Sequence, residues 1–122
     1  MQVPRVDAVL VATDDARIAD VVAGFRGCAL ITAPYHQSGT DRFVEVMAQY
    51  DAGILVNLQG DEPLIRPQDV CVLVNGLLHE PAIQLGILFN ELPAHEAVNP
   101  NIIKVVLDAQ GNGMYFSRNS IP

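Results

Sequence analysis

The stretch Val6–Thr32, VDAVLVATDDARIADVVAGFRGCALIT, decides the predicted fold. Its beginning, Val6–Ala12, is rich in valine and ends in the polar TDD, a pattern typical of a strand followed by a helix start. The apolar residues of that helix recur at the spacing of one helical face: Ile18, Val21, Val22 and Phe25. Cys28–Thr32 then reads as a short buried strand. This order predicts two parallel strands joined by a right-handed crossover.

The same alternation continues downstream. A second helix is predicted from apolar residues on one face, which are Phe43, Val46, Met47 and Tyr50. Gly53–Gln59, GILVNLQ, reads as the next strand, and Pro67 suits the first turn of a third helix. Ala82–Asn90, AIQLGILFN, reads as a further strand, although Gly86 weakens that interpretation. Strands alternating with amphipathic helices predict an α/β domain with a mostly parallel sheet.

The later part of the sequence predicts a β-hairpin. Ile102–Leu107 and Met114–Ser117 flank DAQGNG, a turn rich in glycine and asparagine. No repeat or linker interrupts the sequence, so we expect a single domain over residues 1–122. We expect a partial domain, because the chain opens on a strand and stops just after the hairpin.

Composition restricts the classes of partner. Half of the 122 residues are hydrophobic and 17% are charged, which is typical of a folded chain. The net charge of −7 repels the phosphate backbone of nucleic acids, so no nucleic-acid partner is expected. A single nucleotide stays compatible, because a divalent cation can bridge carboxylates to phosphates. The sequence contains no membrane-length apolar stretch and no signal-peptide pattern, and we expect a cytoplasmic protein.

Polar clusters follow the predicted strands. They are TDD at 13–15, HQSGTDR at 36–42 and QGDEP at 59–63. In open α/β sheets ligands bind beyond the carboxyl ends of the strands, so we expect these clusters to converge on one crevice. Asp61 is a reasonable magnesium ligand there, because magnesium needs only one or two protein carboxylates when phosphates complete its coordination. A solvated Asp61–Glu62 pair in a turn is the alternative interpretation.

The cluster HQSGTDR also has two interpretations. Ser38 followed by Asp41 fits a capping box at the start of the second helix. In the functional interpretation, Gly39 lets a ligand approach the backbone, while Ser38, Thr40 and free helix N–H groups offer hydrogen bonds. The two interpretations are compatible. His36 by itself is expected to be a surface histidine, and Lys104 and Arg118 are expected to be solvated charges beside the hairpin.

Together these motifs resemble the 3-deoxy-manno-octulosonate (Kdo) cytidylyltransferases, also called CMP-Kdo synthetases. The matching stretches, in the family's order, are VLVATDD, HQSGTDR, VNLQGDEP and NPNIIKVVLDAQGNGMYFSRNSIP. The resemblance implies the Rossmann-like fold of nucleotide-diphospho-sugar transferases, with a mostly parallel sheet and a β-hairpin near the C-terminus. It implies the conversion of CTP and Kdo to CMP-Kdo and diphosphate with Mg²⁺, a step of lipopolysaccharide biosynthesis.

The resemblance also implies roles for particular residues. Asp61 would bind Mg²⁺ and Gln59 would join it as a catalytic residue. Arg42 would support the loop before it, and Arg118 would face the carboxylate of the sugar acid. Five residues would bind the nucleotide: Gln37, Ser38, Gly39, Thr40 and Gly60.

Three parts of the family pattern have no counterpart in this sequence. They are the first strand with its basic loop, a second magnesium-binding aspartate, and the C-terminal part that follows the hairpin. We therefore expect a partial cytidylyltransferase domain that is inactive alone. The alternatives are a non-catalytic remnant that binds cytidine nucleotide weakly or associates with another chain, and a related transferase for a different sugar acid. A homodimer also stays open.

Overall fold

The computed structural model describes residues 3–121, and the chain forms two compact units, Met1–Ile87 and Leu88–Pro122. The first unit contains β1 (Leu10–Thr13), α1 (Ala16–Gly24), β2 (Cys28–Ile31), α2 (Gly39–Met47) and α3 (Pro67–His79). The second unit contains a 3₁₀ turn (Ala94–Glu96), β3 (Lys104–Leu107) and β4 (Gly113–Ser117). No helix in residues 3–121 combines the length and the apolar character that crossing a bilayer requires.

The predicted strand–helix–strand unit is confirmed. β1 and β2 pair in parallel, with Leu10 opposite Cys28 and Thr13 opposite Ile31. Asp15 caps the helix between them, because its carboxylate accepts a hydrogen bond from the Arg17 backbone N–H at 2.8 Å. The two strands therefore end at the same edge of the sheet.

The starts of α2 and α3 also follow the prediction. Ser38 is the N-cap of α2, and its hydroxyl accepts a hydrogen bond from the Asp41 backbone N–H at 3.1 Å. Pro67 lies in the first turn of α3, where a missing N–H costs nothing. The Asp69 carboxylate accepts a hydrogen bond from the Arg66 backbone N–H at 3.2 Å, which satisfies a donor that the helix leaves free.

The strands predicted at 53–59 and 82–90 are not formed. Within residues 3–121 the paired strands are β1 with β2 and β3 with β4, so the sheet is less extensive than the mostly parallel one expected. The apolar pattern of both segments resembles a strand, but a strand also needs a neighbour whose N–H and C=O groups complete the ladder. The α/β class, the parallel pairing and the hairpin are confirmed.

The hairpin has an ordered turn. β3 and β4 pair antiparallel from Lys104 opposite Ser117, with an irregularity between Val106 and Leu107. The Asp108 carboxylate accepts hydrogen bonds from the backbone N–H groups of Gln110 at 2.9 Å and Asn112 at 2.8 Å. Gly111 has a φ of +88°, which a side chain would strain. This chemistry explains why DAQGNG forms the turn.

The helices are only partly covered. The buried hydrophobic residues among those described are Val22, Val46 and Val74, one from each helix. The face predicted for α1 is not fully buried, since Val21 is 67% exposed and Phe25 is 66% exposed. Two strands of four residues each contact only part of a helix surface, and the periodicity cannot show how much of a face finds a partner.

Candidate functional site

Arg42 joins the carboxyl ends of β1 and β2 to α2. Its guanidinium donates a hydrogen bond to the Thr32 hydroxyl, just after β2, and forms an ion pair with Asp14, just after β1, at 3.2 Å. Thr32 is buried and continues the strand pairing, because its N–H donates to the Thr13 carbonyl at 2.9 Å. The predicted support role of Arg42 thus has a physical basis. The guanidinium fixes the strand ends relative to the first turn of α2.

Glu45 holds the loop that follows β2. Its carboxylate accepts hydrogen bonds from the Ala33 backbone N–H at 3.0 Å and from the His36 Nε2, which carries a proton in this arrangement. The hydrogen bond from His36 lowers the pKa of the Glu45 carboxyl, and those from Ala33 and the charge of Arg42 act in the same direction. His36 is not the surface histidine that was expected. Its side chain is only 10% exposed, because it packs towards the helix that carries Glu45.

Ser38, Gly39 and Thr40 lie at the start of α2. The Ser38 hydroxyl donates to the Asp41 carboxylate at 2.7 Å and also accepts from the Asp41 N–H, so the predicted cap is formed. The first residues of a helix, here Gly39 and Thr40, have N–H groups without an intrahelical acceptor. Such groups favour a bound anion. Gln37 precedes this turn and its side chain donates a long hydrogen bond, 3.4 Å, to the Tyr35 carbonyl.

The side chain of Gln59 lies against Gly39. A Cβ atom placed on Gly39 would be 2.6 Å from Oε1 of Gln59, so a side chain at position 39 would displace the Gln59 amide from its present position. They are separated by twenty positions in the sequence. The structure therefore brings HQSGT and QGDEP together, as expected for polar clusters that converge on one crevice. This contact places the two motifs on one surface of the first unit.

Gly60, Asp61 and Glu62 form the turn after Gln59. The Glu62 N–H donates to the Gln59 carbonyl at 3.1 Å, and both carboxylates are exposed. In residues 3–121 no three or more His, Cys, Asp or Glu side chains cluster as a metal site would require. Asp61 fits a different mode of binding, in which one carboxylate, several waters and a phosphate share a magnesium ion.

Arg118 lies in the second unit, at the end of β4. Its guanidinium donates to the carbonyls of Pro100 at 3.2 Å and Asn101 at 3.4 Å, while its side chain stays exposed. Lys104 is not the solvated charge that was expected, since it is 8% exposed. Its ammonium donates to the carbonyls of Asn99 at 2.5 Å and Arg118 at 2.6 Å. The two cations thus hold the loop before β3 against the end of β4.

Glu45 was not predicted from the sequence as a residue that shapes the site. It is three positions after Arg42 and is the acidic residue within an apolar run of α2, Phe43–Met47. A carboxylate that interrupts an apolar run is a weak signal for a buried or half-buried partner. That partner is the loop 33–36, which local sequence patterns do not identify.

A family model described as cytidylyltransferase matches residues 1–122. Among curated proteins, the 3-deoxy-manno-octulosonate cytidylyltransferase of Escherichia coli is 47% identical over 100% of this chain and 50% of its own length. The enzyme of the same name from Syntrophotalea carbinolica is 48% identical over 99% of this chain and 49% of its own length. The chain therefore spans about half the length of the curated relatives it matches.

A solved structure gives the same result. It is described as CMP:2-keto-3-deoxy-manno-octonic acid synthetase complexed with CTP. It superposes with a TM-score of 0.95 at 47% identity, over 99% of this chain and 50% of that chain. The match to the family model covers every residue, and the α/β architecture agrees with it. This chain belongs to the cytidylyltransferase family.

Proposed function

We propose that this chain supplies the central part of a CTP:3-deoxy-manno-octulosonate cytidylyltransferase, which joins CTP and Kdo to give CMP-Kdo and diphosphate for lipopolysaccharide biosynthesis. The observation that carries the proposal is the contact between Gly39 and Gln59, because it unites the two motifs of the resemblance on one surface. The relatives that bear this name and the CTP complex of the solved relative support the choice of substrates.

In this proposal the start of α2 binds the nucleotide. Gln37, Ser38, Gly39 and Thr40 lead into the helix, whose free N–H groups and dipole favour negative charge. Gly60 and Gln59 lie on the facing turn, and the Gln59 amide is positioned against Gly39. Because Gly39 has no side chain, the Gln59 amide can lie against the start of the helix. The role of these residues is to orient the nucleotide for attack by the sugar oxygen.

Mg²⁺ is part of the same proposal. Asp61 would hold the ion with its exposed carboxylate, and Glu62 lies next to it. When bound, the ion would neutralise phosphate charge that a chain of net charge −7 otherwise repels. Asp61 and Gln59 act on the nucleotide from the same turn, which is why we assign the catalytic role to this pair.

Arg118 is proposed to bind the carboxylate of the sugar acid. Only its Nη1 is used for the carbonyls of Pro100 and Asn101, and the exposed guanidinium retains donors suited to a carboxylate. Kdo is the proposed sugar, and a different sugar acid is the alternative. Assaying CTP consumption with Kdo and with sialic acid, on a chain that carries the family's remaining segments, distinguishes them.

The proposal extends to the organisation of the chain and its location. We propose that residues 1–122 are one partial cytidylyltransferase domain, and that two copies can associate through apolar surface on the first unit, where Val21 and Phe25 are exposed. We propose a cytoplasmic location as well, in keeping with the proposed use of CTP. No role for nucleic acid or membrane is proposed, in keeping with the acidic composition.

The decisive experiment is calorimetric titration of the chain with CTP in the presence and absence of Mg²⁺. We expect binding that depends on Mg²⁺, and we expect Asp61→Asn to weaken it about tenfold or more, since removal of a metal ligand costs more than an ordinary exposed contact. Asp51→Asn is the matched control, because it removes the same charge from another exposed position of the first unit. Equal affinity of Asp61→Asn and the parent would refute the metal role.

Catalysis by the chain alone is not expected. Half of the relatives' length lies outside it, and at net charge −7 it has few cations to stabilise the charge of a triphosphate. Radiolabelled CTP incubated with Kdo, Mg²⁺ and this chain should give no CMP-Kdo, and turnover would contradict this expectation. A non-catalytic remnant that binds cytidine nucleotide weakly is the second candidate. It would bind CTP but fail to turn over even when supplied with the family's other segments.

A further inference from the structure

We propose that His36 and Glu45 form a positioning pair that holds the loop between β2 and α2, so that Gln37–Thr40 keep one conformation for the nucleotide. The inference rests on the proposed function for the identity of the ligand, and on the contacts of the loop for everything else. Neither residue is assigned a chemical step. Their role is to fix the backbone that does the binding.

One carboxylate oxygen makes both contacts of the pair. Oε2 of Glu45 accepts from the backbone N–H of Ala33, at the start of the loop, and from Nε2 of His36, three residues later. Because the two donors lie on the same short segment, a single side chain of α2 closes the loop onto the helix. The loss of that oxygen would release both points at once.

The neighbouring contacts fix the rest of the segment. Arg42, one turn before Glu45 on α2, holds Thr32 through its hydroxyl, and Ser38 caps the same helix. Positions 32, 33, 36 and 38 are therefore all tied to α2. The residues between these points, among them Tyr35 and Gln37, are exposed. This arrangement leaves Gln37 available to a ligand while the backbone on either side of it is held.

The His36–Glu45 pair is less exposed to solvent than an ordinary surface ion pair. The side chain of His36 is 10% exposed and that of Glu45 is 28% exposed, so water competes poorly for their hydrogen bond. Exposed pairs contribute little because solvent screens them and both side chains must be ordered. Here the ring of His36 also packs at 5.2 Å, centroid to centroid, from the ring of Tyr35.

The pair is positioning and not catalytic, because its reactive atoms face each other. Nε2 of His36 is directed to Glu45, and the same carboxylate oxygen also accepts from Ala33. Among the described residues, the further charge that acts on Glu45 is that of Arg42, which in turn is paired with Asp14. We therefore expect that loss of the pair changes CTP binding indirectly, through the conformation of the loop.

The test uses the 122-residue chain and the variants Glu45→Ala, Glu45→Gln, His36→Ala and His36→Gln. Two quantities are measured under conditions in which every variant is folded: amide hydrogen exchange along the chain and CTP affinity by calorimetry with Mg²⁺. We expect Glu45→Ala and His36→Ala to speed exchange in the segment 33–40, and to weaken CTP binding, each about tenfold, as for loss of a half-buried charged hydrogen bond. Exchange in α3 should not change.

The amide variants separate positioning from general stability. Glu45→Gln keeps an oxygen that can accept from Ala33, and His36→Gln keeps a donor towards Glu45, so each should restore part of the affinity lost in the alanine variant. A purely structural pair would lower the free energy of unfolding and leave the affinity of the folded chain unchanged. The double variant His36→Ala/Glu45→Ala should weaken CTP binding by less than the product of the two single alanine effects, because each alanine substitution removes the same interaction.

The two measurements separate failure of this inference from failure of the proposed function. If the parent chain does not bind CTP, the nucleotide proposal fails for this chain, but hydrogen exchange still decides whether the pair holds the loop. Unchanged exchange at 33–40 in Glu45→Ala overturns the inference. So does unchanged CTP affinity in that variant when the parent binds. Asp51→Asn is again the control for the loss of one charge.

Discussion

At the scale of single residues, Gly39 has two structural roles. It occupies the first position of α2, where most residues are tolerated, and it leaves space for the Gln59 side chain. A Cβ atom at position 39 would lie only 2.6 Å from Oε1 of Gln59 and would clash with it. Oε1 is at the end of a flexible, exposed side chain. Gln59 could therefore move away at little cost in folding free energy, but its amide would lose its position.

We expect Gly39→Ala to separate stability from binding. The free energy of unfolding should change by less than about 1 kcal/mol, because alanine favours a helix and Gln59 can rotate away. CTP affinity should fall several-fold, because the displaced amide no longer faces the start of α2. Urea unfolding and calorimetry measure the two quantities.

Gly76→Ala is the matched control for that substitution. Gly76 lies inside α3, and a Cβ there meets no atom within 4 Å. Alanine should raise the free energy of unfolding by roughly 0.5–1 kcal/mol through helix propensity and leave CTP affinity as it is. If Gly39→Ala bound CTP as tightly as Gly76→Ala, the contact with Gln59 would have no part in recognition.

The residues that the sequence analysis placed wrongly have a common reason. His36 and Lys104 were both expected on the surface, and both are largely buried by partners at a distance in the chain, Glu45 and Arg118. Ser38, in contrast, was placed correctly, because a cap depends on residues within one turn. Local chemistry can be read from the sequence, whereas burial by a distant partner depends on the fold.

At the scale of elements, carboxylates fix the ends of helices and turns. Arg17 lowers the pKa of Asp15 at the start of α1, and Arg66 lowers that of Asp69 at the start of α3. Asn112 lowers the pKa of Asp108 in the hairpin turn. Each ionised carboxylate accepts hydrogen bonds from backbone N–H groups that would otherwise lack a partner. The folded elements therefore depend on the charged form of these groups.

These shifts predict a loss of stability in acid. The pKa of each group in the folded chain lies below its ordinary value, 3.8 for the aspartates and 4.5 for Glu45. Their contribution is present above those values and is lost as the pH falls through the lowered pKa values. We expect the free energy of unfolding, measured with urea, to decrease below about pH 4. Asp69→Asn should make the decrease in the free energy of unfolding less steep, because asparagine does not titrate.

Asp51→Asn controls for the change in net charge in this series, because Asp51 is exposed and lies outside the helix caps. A decrease in acid that is equally steep in Asp69→Asn and in the parent would show that the cap of α3 does not contribute. Far-UV circular dichroism at each pH would reveal whether helix is lost together with stability.

The elements themselves were predicted to different degrees. β1, α1, β2, the caps of α2 and α3 and the hairpin follow from periodicity and turn chemistry. The strand ends differ from the prediction by at most two residues, except that β1 begins at Leu10, four residues later than predicted. The segment 53–59 has the composition of a strand but no ladder in the described residues. Composition indicates what a segment can form, and pairing depends on a neighbour that the pattern does not contain.

At the scale of the whole molecule, apolar side chains remain exposed on α1. Ile18, Val21 and Phe25 follow one face of that helix, and none of the three is buried. Exposed apolar groups of this kind favour association, because contact removes them from water. We expect the average mass measured by light scattering after gel filtration to rise with protein concentration.

Val21→Lys should weaken this association without unfolding the chain, because Val21 is largely exposed and lysine is a good helix former. Val72→Lys is the matched control, since Val72 is similarly exposed on α3. Association that persists in Val21→Lys and disappears in Val72→Lys would place the contact on α3. A constant monomer mass for the parent would contradict the proposed pairing of copies.

Because Lys104 is buried, the rate of its chemical modification can report how often the second unit opens. It is the single lysine of the chain, and its ammonium is enclosed by the carbonyls of Asn99 and Arg118. An acylating reagent can modify this ε-amine only when the hairpin opens, so the rate of modification reports the opening of residues 88–121 alone. Compared with the loss of helix in the first unit along a urea series, that rate reveals whether the two units melt together or one after the other.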